Sequence, residues 1–190
     1  MKLPIVAYGD PVLKRKAIDI DEHYPALEAL ITNMFETMYA AHGVGIAAPQ
    51  VGLSIRLFVI DASPFAEDDS PELKDFKKVF INAQILSEEG EKWDFNEGCL
   101  SIPDIREDIS RHKTIHIRYF DEHWVQHEET YNGLAARVIQ HEYDHIEGKL
   151  FTDKLSVLRK AMLKSKLDAI AKGQVKVDYK MKFPAIKRRR

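Results

Sequence analysis

The pentapeptide His141-Glu142-Tyr143-Asp144-His145 constrains this 190-residue chain more than any other feature. Residues four apart share one face of an α-helix, so both imidazoles can reach one metal ion only if this stretch is helical. Glu142 then projects beside that ion as a proton acceptor. Leu134 and Val138 fall on the same face as the two histidines, which turns that face inward. The spacing predicts a helix over 134–147 enclosed by the fold, with Gly148 placed to stop it.

The rest of the chain supplies material to enclose it. Leu27, Leu30, Ile31, Met34, Phe35 and Met38 recur at three- and four-residue steps and predict an amphipathic helix over 25–41, which Gly43 ends as a residue tolerant of positive φ. Residues 56–61, 79–86, 114–120 and 125–131 have the β-branched and apolar content of strands, with 121–124 as a turn. A third helix is predicted over 155–171, with Leu155, Leu158, Met162 and Leu167 inward. Between Gly43 and Gly52 the residues are too small and glycine-rich for a helix and suit backbone lying close to a ligand. The fold class is α+β: mainly antiparallel sheets packed around a central helix carrying the paired histidines, with an N-terminal and a C-terminal helix. No Pro/Gly/Ser-rich stretch divides the chain. Residues 1–173 therefore read as a single metallohydrolase domain, and 174–190 as a basic C-terminal extension whose order the sequence leaves open.

Two imidazoles need a third protein ligand if one position is to stay open for water. The elongated zinc-protease pattern would place a histidine six residues after His145, but that residue is Phe151, and no glutamate follows Glu147. Asp153 and Asp168 are carboxylate candidates without a surrounding signature. Cys99, the only cysteine, stands in Glu97-Gly98-Cys99-Leu100-Ser101. Its thiolate with two imidazoles makes a compact ligand set for a first-row transition metal. A lone thiol forms no intramolecular disulfide, the N-terminus has no secretory pattern, and no apolar run approaches the roughly 20 residues that span a bilayer. A cytoplasmic location without membrane contact is expected.

The formal charge of −2 is unevenly spread. Residues 154–190 carry thirteen Lys/Arg against Asp168 and Asp178, a net of +11, which leaves −13 for the remainder. Such a segment suits either an anionic partner, RNA being the obvious one, or a solvated helix face followed by a loose Lys187-Arg188-Arg189-Arg190 tail.

Three short stretches stand in order: Gly43-Val44-Gly45-Ile46-Ala47-Ala48-Pro49-Gln50, then Glu97-Gly98-Cys99-Leu100-Ser101, then Gln140-His141-Glu142-Tyr143-Asp144-His145. Together with Met34-Phe35-Glu36-Thr37-Met38-Tyr39, Ile102-Pro103 and Gly148-Lys149-Leu150-Phe151, they make the chain resemble the peptide deformylases, in the bacterial type with a helical C-terminus, over roughly residues 3–170. The resemblance implies a hydrolase that removes the formyl group from N-terminal formyl-methionine of nascent polypeptides and releases formate. Cys99, His141 and His145 would hold the metal, with metal-bound water as the nucleophile. The family's ion is Fe2+, one per chain, and Zn2+, Ni2+ or Co2+ can substitute. Glu142 would act as general base and then general acid, with the Gln50 amide and the Leu100 N–H stabilising the oxyanion. The resemblance also places Val44, Phe95, Leu134 and Val138 around the methionine side chain, Arg137 near its mouth and Arg106 near the peptide. Backbone groups of Val44, Gly45 and Gly98 would bind the peptide as an added strand. Ribosome contact through the basic C-terminal segment is a further expectation. The other six histidines, at 23, 42, 112, 116, 123 and 127, read as surface or loop residues. A zinc endopeptidase lacks its downstream ligand here, and a binding module with a purely structural metal would need neither Glu142 nor Gln50.

Overall fold

Alternating side chains along residues 77–120 build the largest element, a hairpin of β4 (Lys77–Cys99) and β5 (Ile102–Phe120) joined by a tight turn at Leu100 and Ser101. The structure is a computed structural model in which residues 1–66 and 73–184 are described. Only the bases of these two strands, over 79–86 and 114–120, are legible from composition. The arms beyond are Glu/Lys-rich on their exposed sides, and they pair in register as Phe95 opposite Ile109, Glu97 opposite Glu107 and Gly98 opposite Arg106.

The five-stranded antiparallel sheet has the order β2 (Gly45–Ala47), β3 (Leu57–Asp61), β4, β5 and β6 (Gln126–Asn132). Strand periodicity divides its side chains between two faces. Phe58, Ile60, Phe80, Ile115 and Ile117 pack with Ala135, Ala136 and Ile139 of the central helix α2 (Gly133–Ile146). Leu57, Val59, Val79 and Ile81 pack with Ile31, Met34, Phe35 and Met38 of α1 (Leu27–Ala40). Each such fully buried aliphatic or aromatic side chain contributes about 1.5–3 kcal/mol relative to exposure. The expected α+β class is met, a mainly antiparallel sheet with three α-helices among the described residues, and the paired histidines stand on α2.

Gly148 ends α2 as expected: its φ is +71° and Lys149 N donates to Asp144 O at 2.8 Å. Gly43 does not play that part for α1. The left-handed residue is His42, with φ 57°, while a Cβ on Gly43 would stand 2.8 Å from Leu100 Cδ1. Gly43 thus marks a close approach to the Leu100 side chain rather than a position of positive φ. The stretch from Ala48 to Val51 closes as a short 3-10 turn.

The third helix, α3 (Val157–Ala171), starts later than predicted because Ser156 caps it, accepting from Arg159 N at 3.2 Å. Its inward face also differs. Leu163, Leu167 and Ile170 are buried, whereas Leu158 and Met162, expected inside, are 73% and 62% exposed. Arg159 fixes the rotation: it lies one turn before Leu163 on the same face and reaches both carboxylate oxygens of Glu107 on β5, at 2.7 and 2.8 Å.

The residues after α3 return to the body of the protein. β7 (Met181–Lys182) pairs in parallel with β1 (Ile5–Val6), through Ile5 N to Lys180 O at 2.8 Å and Ala7 N to Lys182 O at 2.9 Å. The Lys187–Arg190 tail lies outside the described residues. Among those described, no helix is long and apolar enough to cross a membrane.

Candidate metal centre

The turn between β4 and β5 brings Cys99 over the C-terminal half of α2, and the ligand atoms of Cys99, His141 and His145 all lie within 4.8 Å of one another. Cys99 Sγ is 3.3 Å from His145 Nε2. Donors about 2.0–2.3 Å from a tetrahedral ion stand roughly 3.5 Å apart, so a thiolate and two imidazoles clustered in this way suit a first-row metal. Neither Asp153 nor Asp168 belongs to the cluster. Asp153 is used by Lys14 and the Leu150 N–H, and Asp168 pairs with Lys164.

His141 is oriented from behind, whereas the buried Nδ1 of His145 has no hydrogen-bond partner among the described residues. His141 Nδ1 is 2.9 Å from Glu97 Oε2, which leaves Nε2 for the ion. Glu97 is almost wholly buried and would be costly alone. Arg111 offsets this with two bonds of 2.7 and 2.9 Å, and Arg137 with one of 2.9 Å. Burial pushes the Glu97 carboxyl up, but the bonds and charges of His141 and Arg111 outweigh it and hold the group well below the usual carboxylate range. Burial and the neighbouring His141 push His145 well below the usual imidazole range, while at His141 burial is outweighed by the bonds of Cys99 and Glu97, which push that ring above it.

Glu142 is 4% exposed and its Oε2 has no hydrogen-bond partner. Burial raises its carboxyl to about 7, with His141 pulling it down and Glu97 pushing it up. Its other oxygen lies against Gly45, where a Cβ would be only 2.5 Å away. Gln50, from the 3-10 turn, is also buried. Its Oε1 accepts from Ala47 N at 2.8 Å, and its Nε2 lies 3.5 Å from Cys99 Sγ and 3.4 Å from Ser101 Oγ. One bond thus orients the amide and its N–H group is left facing the centre.

These groups open into one cleft of about 950 Å³. Val44, Gly45, Phe95, Gly98, Leu100, Arg106 and Val138 line it. Leu134 does not. It packs against the inner cluster around Val138, one helical turn away. Arg137, expected near the mouth, also lines the cleft; it is 1% exposed and is held by Glu97, Ile109 O and Trp93 O. Arg106 stays at the surface, bonded to the side chain and carbonyl of Asn96.

Sequence reasoning missed Arg111 and the supporting role of Glu97 and Arg137. Glu97 was visible as the acid two places before Cys99, but its partners Arg111 and Arg137 lie 14 and 40 residues away and carry no local signature. Lys176, Val177, Asp178 and Tyr179 also line the cleft. The alternation Val175, Val177, Tyr179, Met181 was a strand-like signal for that segment.

The chain is similar over most of its length to known proteins of one family. A family model described as polypeptide deformylase matches residues 2–161. The chain is 62% identical to a peptide deformylase of Christiangramia forsetii and 56% identical to one of Flavobacterium johnsoniae, each alignment covering 100% of both chains. Among solved structures, a peptide deformylase from Legionella pneumophila superposes with a TM-score of 0.78 at 36% identity, over 92% of this chain and 98% of that one. One from Thermotoga maritima gives 0.73 at 39% identity, over 82% and 99%.

Proposed function

The chain belongs to the peptide deformylase family, hydrolases that remove the formyl group from nascent formyl-methionyl peptides, and on that premise we propose how its own residues carry the reaction. The observation that carries the reading is the cluster of Cys99, His141 and His145, of which Cys99 and His141 line one cleft together with the buried Glu142 and Gln50. Cys99, His141 and His145 hold the ion. When bound, it supplies Lewis acidity, lowering the pKa of water toward neutrality. Glu142, with its carboxyl raised by burial, takes the proton from the attacking water and returns it to the leaving amine. The Gln50 amide and the Leu100 N–H donate to the oxygen that gains charge on the formyl carbon, and losing one such donor typically costs on the order of 100-fold in turnover.

Val44, Phe95 and Val138 receive the methionine side chain, with Leu134 backing Val138. Backbone groups of Val44, Gly45 and Gly98 align the peptide as an added strand, and Arg106 meets it at the surface. Arg137 acts from beneath, by holding Glu97. We assign Fe2+ as the native metal, one per chain, with Zn2+, Ni2+ or Co2+ able to take the same ligands. Residues 1–173 form the metallohydrolase domain and 174–190 its extension. The enzyme works in the cytoplasm, and the +11 charge of residues 154–190 supports a salt-sensitive contact with ribosomal RNA.

Metal analysis of anaerobically purified protein, coupled to formate release from formyl-Met-Ala-Ser, tests the whole reading. One iron per chain and activity that decays in air are expected. Glu142→Ala should keep its metal and lose turnover; retained turnover would refute the role given to that carboxylate.

A further inference from the structure

The segment after α3 is tied to both lips of the cleft. Tyr179 donates from its hydroxyl to Leu100 O at 2.8 Å, one residue beyond the ligand Cys99. Asp178 Oδ2 meets His42 Nε2 at 3.0 Å, two residues before Val44. The backbone is held besides by the β1–β7 ladder, and Tyr8 N bonds to Ser101 O at 2.9 Å, so the ladder continues to the turn that carries Cys99. These residues lie beyond the stretch matched by the family model, which ends at 161.

Within the segment the side chains alternate. Lys176, Asp178 and Lys180 are exposed, while Val175, Val177, Tyr179 and Met181 are half-buried. Val175 and Met181 pack on the cluster that holds α3, and Tyr179 packs beside Leu100 on the cluster of α1. Among the described residues, Val177 is the inward member of the series that joins none of these clusters, and it lines the cleft. A half-buried apolar side chain with no core partner is apolar surface offered to whatever fills the space beside it. The space is ample. A cleft of about 950 Å³ is at the upper end of the roughly 300–1,000 Å³ that accommodate a drug-sized ligand, more than a single formylated residue requires.

We propose that Lys176–Tyr179 form an outer wall of the peptide cleft and that Val177 is a specificity-determining residue, making apolar contact with the residues that follow methionine in the formylated chain. Tyr179 is a positioning residue for that wall and for the Leu100 turn. The proposal rests on the deformylase reading above, because it concerns how far along its substrate the enzyme reaches. It gives the enzyme a preference for apolar over acidic residues at the second or third place, in addition to what backbone pairing along Val44 and Gly98 supplies.

The test compares formyl-Met-Leu-Leu with formyl-methionine amide, which ends before the wall. In Val177→Asp the ratio of kcat/KM for the long substrate to that for the short one should fall about tenfold, through KM. If that variant shows no cooperative melt, Val177→Ser is read instead, with a fall of about threefold expected. A ratio within twofold of the unmodified enzyme overturns the proposal, and so does an equal loss on both substrates, which is what a merely structural role would produce. Should the unmodified enzyme release formate from neither substrate, it is the deformylase reading that fails.

Discussion

His141 presents its Nδ1 to the Oε2 of Glu97 at 2.9 Å, and Arg111 and Arg137 grip the same carboxylate from other sides. The ligand is thereby aimed by a group that is itself clamped. Groups that orient a ligating histidine are typically worth about 10–100-fold in metal affinity. Glu97→Gln keeps the shape but surrenders the charge, so it should bind metal about 10–100-fold more weakly in competition with a chelator. It should also melt earlier, because the buried Arg137 loses its counter-charge and the buried Arg111 keeps only that of Asp144. Unchanged affinity would show that the pair is incidental to the site.

Gly45 is the floor beneath Glu142. A methyl group there would stand 2.5 Å from Oε1, so Gly45→Ala must displace the carboxylate. A shift of about 1 Å in a reacting group can cost on the order of 100-fold. We expect kcat to fall by that order while metal content stays near one per chain. Parallel kinetics and metal analysis would check it, and a fall in metal content matching the fall in rate would count against this account.

Gly148 combines a left-handed φ of +71° with a Cβ position 2.8 Å from the Lys14 carbonyl. Both the dihedral and the contact oppose a side chain, so Gly148→Ala should cost about 2–4 kcal/mol. For a chain of this size that lowers Tm by roughly 5–15 °C in a calorimetric scan. A change within a degree or two would mean that the α2 terminus can relax.

Glu129 supplies a pH dependence well away from the metal. Burial pushes its carboxyl up, but Tyr119 at 2.6 Å, Tyr131 and Lys78 at 3.1 Å outweigh that and hold it below the usual range. A carboxylate depressed by folding stabilises the native state above its unfolded pKa, and the contribution is lost as pH falls through the folded value. The stability gap between the unmodified enzyme and Glu129→Gln should therefore be constant above about pH 5 and shrink below about pH 4.3. Denaturant titrations across that window check it; a gap that widens on acidification would reverse the sign.

The parts of this protein that could be read from sequence are those whose chemistry is local. The paired histidines, the cysteine motif and the periodicity of α1 and α2 each announce themselves within a few residues. The hairpin arms did not, since Glu88, Glu89, Glu91 and Lys92 face solvent and hide the strand period. The face of α3 was misread because Leu158 and Met162 look like core, whereas the helix is rotated by the distant Glu107 through Arg159. The same reason hid the supports of the metal site. Arg111 and Arg137 acquire meaning only once folding brings them to Glu97.

The pairing of Ile5 with Met181 has a consequence for biosynthesis. The amides of Ile5 and Ala7 find their carbonyl partners only after residues 180–182 have been made, so this two-stranded ladder cannot zip while most of the polypeptide is still being translated. An enzyme that processes other newborn chains thus completes its own cleft among the late events of its birth.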